Sequence, residues 1–176
     1  MVPRVVLIPR HGGTPDEPLV AAVAAGLGPR ARLVQPAFLR PEAPRIDEWA
    51  PIARAQLWER PRETIFLGLG LGCRAALHAL SALRPGIAVG GLVAVGGWHE
   101  PLPATMSAWD APISGLERAR SALGGRCVAL LDAHAPTAEA DAGRWETLLG
   151  GQVRRVSGPP GAEEVLAAAT VLLDRM

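Results

Sequence analysis

The chain has 176 residues, 49% hydrophobic and 20% charged, a composition that supports a globular core and argues against disorder. Its basic residues, all 18 of them arginine, face 17 acidic ones, for a formal charge of +1. That balance argues against a nucleic-acid binder, which needs a concentrated basic face.

Short apolar runs alternate with helix-length amphipathic segments along the whole chain. The first predicted strand covers residues 5–8, and Thr14-Pro15-Asp16-Glu17 then carries an N-cap, a proline at the first helical position and a capping-box glutamate. A second strand at 33–35 leads into a proline-rich connection, 36–45, and a helix capped by Asp47 that runs through Trp49 to about Trp58. The third strand, 65–69, turns directly into a helix, and the fourth, 92–95, opens a long connection, 96–113, containing Trp98 and Trp109. Ser114-Gly115-Leu116-Glu117 repeats the capping box, and Gly124-Gly125 stops the helix it opens. Strands at 128–131 and 153–156 follow, and a last helix from about Ala162 has Glu163 and Glu164 in its first turn and Arg175 in its last, which suits the helix dipole.

Most of the strands are apolar at consecutive positions, as expected when helices cover both faces of a sheet. The pattern predicts a doubly wound, six-stranded, mostly parallel α/β sheet in one domain, residues 1–176. Ligands of such sheets bind at the carboxyl ends of the strands. The longest apolar uncharged stretch, 85–98, is glycine-rich and falls short of the ~20 residues of a membrane helix, so no membrane partner is expected. Cys73 and Cys127 are too few for a disulfide scaffold and lack metal-ligand spacing; a reduced, cytoplasmic setting with no metal and no cofactor is expected.

The most specific local pattern is Gly68-Leu69-Gly70-Leu71-Gly72, in the strand–turn–helix at 64–77. Its spacing is that of the nucleophile elbow G-x-S-x-G, whose outer glycines are required because side chains there would collide. Gly70 occupies the place of the serine. Around this corner the chain resembles the small, cap-less serine hydrolases of the retinoblastoma-binding protein 9 type. Val5-Val6-Leu7-Ile8-Pro9 with His11-Gly12-Gly13 is similar to their first strand and oxyanion loop. Ile46-Asp47-Glu48-Trp49 is similar to the helix before the elbow strand, and 90–96 to the strand after the elbow helix.

The resemblance implies an α/β-hydrolase-like fold without a cap domain, strand order 2-1-3-4-5-6, and a pocket between strands one and three. It also implies an acid after strand five and a histidine after strand six. Those slots fall on Ala135 and Pro159, so all three triad positions, Gly70, Ala135 and Pro159, are degenerate. The backbone N–H of Leu71 and the loop at His11 and Gly12 are left as oxyanion donors, and Trp98 overhangs the pocket. A pseudoenzyme that holds a small carbonyl-containing or anionic ligand, or a protein partner, at Gly70 and these residues is therefore expected.

Two other patterns compete. Arg10-His11-Gly12-Gly13-Thr14 is similar to the R-H-G-[EQ]-T of histidine phosphatases, which would make His11 the phospho-acceptor, Arg10 and Arg74 phosphate clamps, and His134 the second histidine. An esterase with unconventional residues would draw on His11, Asp132 and His134. Gly70-Leu71-Gly72-Cys73-Arg74-Ala75 also fits G-x-G-x-x-A, but it lies on the third strand and no acid ends the next one. Asp132 and His134 read either as ordinary strand-end polar groups or as an acid–base pair. Cys73 and His78 read as packing, as do Trp49, Trp58 and Trp145 on helices, while Trp98 and Trp109 read as ligand anchors or as core.

Overall fold

The computed structural model describes residues 2–12, 17–96, 98, 108–109 and 111–176. Six strands form one sheet: β1 (Arg4–Ile8), β2 (Arg32–Val34), β3 (Thr64–Leu69), β4 (Gly91–Val95), β5 (Cys127–Asp132) and β6 (Gln152–Val156). Their order is β2-β1-β3-β4-β5-β6, as expected, and every pairing is parallel. Strands are added on one side of β1 and then, from β3 onward, on the other, which makes a switch point between β1 and β3.

The helices are α1 (Glu17–Leu27), α2 (Ile46–Ala55), α3 (Leu71–Ser81), α4 (Leu116–Leu123), α5 (Ala138–Leu149) and α6 (Ala162–Leu173). Because side chains alternate across a strand, each strand feeds two cores. Val6 and Ile8, Leu92 and Ala94, and Ala129 and Leu131 pack under α2 to α5. Val5 and Leu7, Val93 and Val95, and Val128 and Leu130 pack under α1 and α6. Consecutive apolar residues thus reflect a sheet covered on both faces. Burial also pushes the Cys127 thiol up to about 12, since a thiolate loses its hydration there.

The helix boundaries depart from expectation at four places. Asp47 does not cap α2; Arg45 holds the N-cap position, and Asp47, inside the first turn, pairs with the Arg45 guanidinium at 2.7 Å. Ser114 does not cap α4; Gly115 does, at φ 76°, a left-handed conformation open to glycine. Gly124 ends that helix, also left-handed, as predicted. α2 stops at Ala55, so Trp58 lies beyond it and stands 77% exposed instead of packing. Arg175 lies past the end of α6, after Asp174. The predicted cap at Thr14 lies outside the described residues.

Trp49 and Trp145 are fully buried, as their helical positions suggested. Trp109 is buried as well; its Nε1–H donates to the Pro44 carbonyl at 2.9 Å and its ring meets Trp49 edge-on. No helix among the described residues is long and apolar enough to cross a membrane.

Candidate functional site

The corner between β3 and α3 is held by backbone packed against backbone. A Cβ on Gly72 would stand 2.2 Å from the carbonyl oxygen of Ile8, and one on Gly68 would stand 2.8 Å from the Cα and N of Cys73. Neither contact can be relieved by rotating a side chain, so both outer positions require glycine. The first helical turn therefore sits directly on the end of β1.

Between them, Gly70 adopts φ 52° and ψ −119°. That is the mirror image of the first central residue of a type II turn, a region that strains residues with a Cβ. Its N–H donates to the Val95 carbonyl at 2.9 Å, and its own carbonyl accepts from Cys73 N–H at 2.9 Å. The bend is thus tied both to β4 and to its own helix. Leu71 and Gly72 begin α3, where a helix presents N–H groups without partners of its own. Cys73 is buried with its thiol donating to the Gly68 carbonyl at 3.2 Å.

Gly70 opens on a cavity of about 600 Å³ at the carboxyl ends of the strands. Ala135 and Pro159 line the same cavity, so the three positions assigned to a degenerate triad come together in space. Val95, Leu131, Pro136 and Pro160 make much of the wall apolar. The polar groups are Arg10, Asp132, Thr137 and Asp141.

Asp132 braces one side. Its Oδ1 accepts the backbone N–H of His134 at 2.9 Å and of Gly158 at 3.2 Å, which fastens the end of β5 to the turn after β6. Asp132 and His134 therefore meet through the backbone, and the His134 imidazole instead lies against Ser157, Nε2 to Oγ 3.3 Å. Asp141 is only 1% exposed, in the first turn of α5, and its Oδ2 accepts from the Thr137 hydroxyl at 2.8 Å. Sequence reasoning missed Asp141, although an acidic residue in the first turn after strand five was a signal for it.

Other expected residues lie elsewhere. His11 is half-buried and Gly12 exposed just beyond β1; neither lines the cavity, and the Gly12 N–H donates to the Pro41 carbonyl at 3.0 Å. That bond occupies a donor expected for an oxyanion. Trp98 is 5% exposed and stacks edge-on against Trp145 at 5.0 Å, within the core. Of the phosphate-clamp residues, Arg10 borders the cavity, whereas Arg74 is buried and donates to the Ala111 carbonyl at 2.8 Å. Neither His11 nor His134 borders the cavity with Arg10. His78 is half-buried, and desolvation, reinforced by the Arg74 charge, holds its pKa below the ordinary imidazole value. Among the described residues no cluster of three or more His, Cys, Asp or Glu has the arrangement of a metal site.

No protein-family model and no curated protein matches the sequence. Solved structures do match. The ydeN gene product from B. subtilis superposes with a TM-score of 0.79 at 14% identity, over 98% of this chain and 100% of that one. A ydeN-like hydrolase from Pectobacterium atrosepticum gives 0.60 at 18%, over 98% and 87% of the two chains. The Vlm2 thioesterase domain gives 0.56 at 19%, over 98% and 91%. At such identities the likeness is one of architecture, and the chain has an α/β-hydrolase-like fold.

Proposed function

We propose that this protein is a non-catalytic relative of the cap-less serine hydrolases that holds a small carbonyl-containing or anionic ligand in the cavity beside Gly70. One observation carries the reading. Gly70, Ala135 and Pro159 line one cavity, and none has a side chain able to attack a carbonyl, take a proton or orient a base. A Ser–His–Asp triad works as a unit, so loss of serine or histidine alone removes most of its acceleration. Backbone donors without a nucleophile retain only about 10³–10⁴-fold of rate over water, far below a working triad. Arg10 on the rim and the Leu71 N–H at the opening of α3 are the groups we assign to the ligand's oxygen.

The test is a fluorophosphonate probe with a p-nitrophenyl acetate assay on the full chain. No labelling and no turnover are expected, while short-chain carboxylates raise the melting temperature and lose that effect in Arg10→Ala. Labelling or turnover abolished by changing one named side chain would reject the reading.

A second reading, an esterase built from unconventional residues, is favoured by the His134 Nε2 to Ser157 Oγ distance of 3.3 Å. Among the described residues Asp132 does not orient the His134 imidazole, because the Asp132 Oδ1 accepts from the backbone N–H groups of His134 and Gly158. Turnover that disappears in His134→Ala would establish it. Hydrolysis of p-nitrophenyl phosphate lost in His11→Ala would point instead to the phosphatase reading.

A further inference from the structure

A second concave region lies at the other end of the sheet, where the chain enters β3 and leaves α3. Trp58, Leu83 and Ile87 form the apolar walls of a hollow of about 490 Å³, with Arg54 and Arg84 on its border. An adjoining hollow shares Pro61 and Ile87 and adds Arg60, Arg62, Glu59 and Glu63. Trp58 is 77% exposed and Ile87 38%, whereas Trp49, Trp98, Trp109 and Trp145 are all buried. Arg54, Arg60, Arg62 and Arg84 take part in no ion pair among the described residues.

We propose that this strip is a docking surface for an acidic, amphipathic segment of another protein, with an aliphatic side chain seated against Trp58 and carboxylates on Arg54 and Arg84. Four arguments point to that occupant. An indole left in water beside unpaired guanidinium groups is the composition that dominates binding energy at protein interfaces. The guanidinium fork matches a carboxylate through two parallel hydrogen bonds, so the complementary partner is anionic. Glu59 and Glu63 interrupt the cationic strip, which suits discrete carboxylates and opposes the unbroken charge of a nucleic-acid backbone. A hollow of this size takes a few side chains, which fits an extended or helical segment better than the broad face of a second copy. The surface is independent of the cavity beside Gly70.

The test titrates the full chain into a fluorescein-labelled peptide of alternating glutamate and leucine, read by polarisation. Binding is expected, together with a blue shift of Trp58 emission and its protection from iodide quenching. Trp58→Ala and the double change Arg54→Glu with Arg84→Glu should each weaken binding about tenfold or more, with circular dichroism unchanged because these side chains lie at the surface. A lysine–leucine peptide should not bind. The proposal is overturned if the glutamate peptide does not bind, if Trp58→Ala leaves its affinity unchanged, or if the lysine peptide binds equally well. Trp58-dependent dimers in sedimentation, or Trp58-dependent binding of a labelled oligonucleotide, would likewise replace it with a different occupant.

Discussion

The glycine corner after β3 and the rim made by the ends of β5 and β6 border one cavity but are held by different forces. At the corner, Gly68 and Gly72 exclude side chains because backbone atoms of Cys73 and Ile8 already fill the space. At the rim, the Asp132 carboxylate connects two turns through N–H groups of His134 and Gly158. Close packing at the corner rests on its outer glycines, so it is set by backbone contacts and not by any side chain at residue 70. The rim depends on one particular acceptor, and its neighbours at 135 and 159 can vary without disturbing it. A fold shared with hydrolases is therefore weak testimony for hydrolysis, because function is argued from the site and not from the architecture.

The sharpest way to break this contrast is Gly72→Ala. Forcing a Cβ to within 2.2 Å of Ile8 O should separate α3 from β1 and lower stability by on the order of 3 kcal/mol, read by urea denaturation. A cost below that of an ordinary surface change would show the corner to be plastic. Gly70→Ser should cost about 1–3 kcal/mol through its positive φ, and on the present reading it restores no esterase activity because no base stands at Pro159. Robust turnover by that single variant would place a base within reach and would undo the assignment of the strand-six slot.

Asp132→Ala should cost about 1–2 kcal/mol, since two N–H groups lose their acceptor, and hydrogen exchange should quicken at His134 and Gly158 but not at Gly70. Equal quickening at both places would erase the difference between rim and corner. The smallest effect belongs to Cys127, buried at the start of β5. Its folded pKa of about 12 exceeds the ordinary 9.0, so the unfolded chain releases the proton first as pH rises. Stability is unaffected well below 9.0 and should fall by about 1 kcal/mol between pH 9 and 10, a slope that Cys127→Ala removes.

Much of the framework was legible before any coordinates. The six predicted strands agree with the observed ones to within a residue or so, and the spacing of Gly68 and Gly72 marked the tight bend. The helix starts were less legible. Asp47 and Ser114 have the chemistry of caps, yet Arg45 and Gly115 occupy those positions, because where a chain enters a helix is set by the packing that precedes it. Asp141 and Arg10 were not recognisable as neighbours of Gly70, since one comes from the first turn of α5 and the other from the loop after β1. Trp58 was misjudged for a related reason. An aromatic near a helix reads as core, and only the end of α2 at Ala55 leaves it in water.

By itself, the order of residues determined the alternation of strands and helices, the burial of the sheet on both faces, and the glycines at the bend. These follow from local backbone preferences and from apolar patterning, which act over a few residues. Tertiary structure alone decided that Gly70, Ala135 and Pro159 share a cavity, that Asp132 bonds to amides instead of an imidazole, and that Trp98 packs inward while Trp58 faces out. Such outcomes depend on which distant segments meet, and sequence spacing carries no measure of that distance.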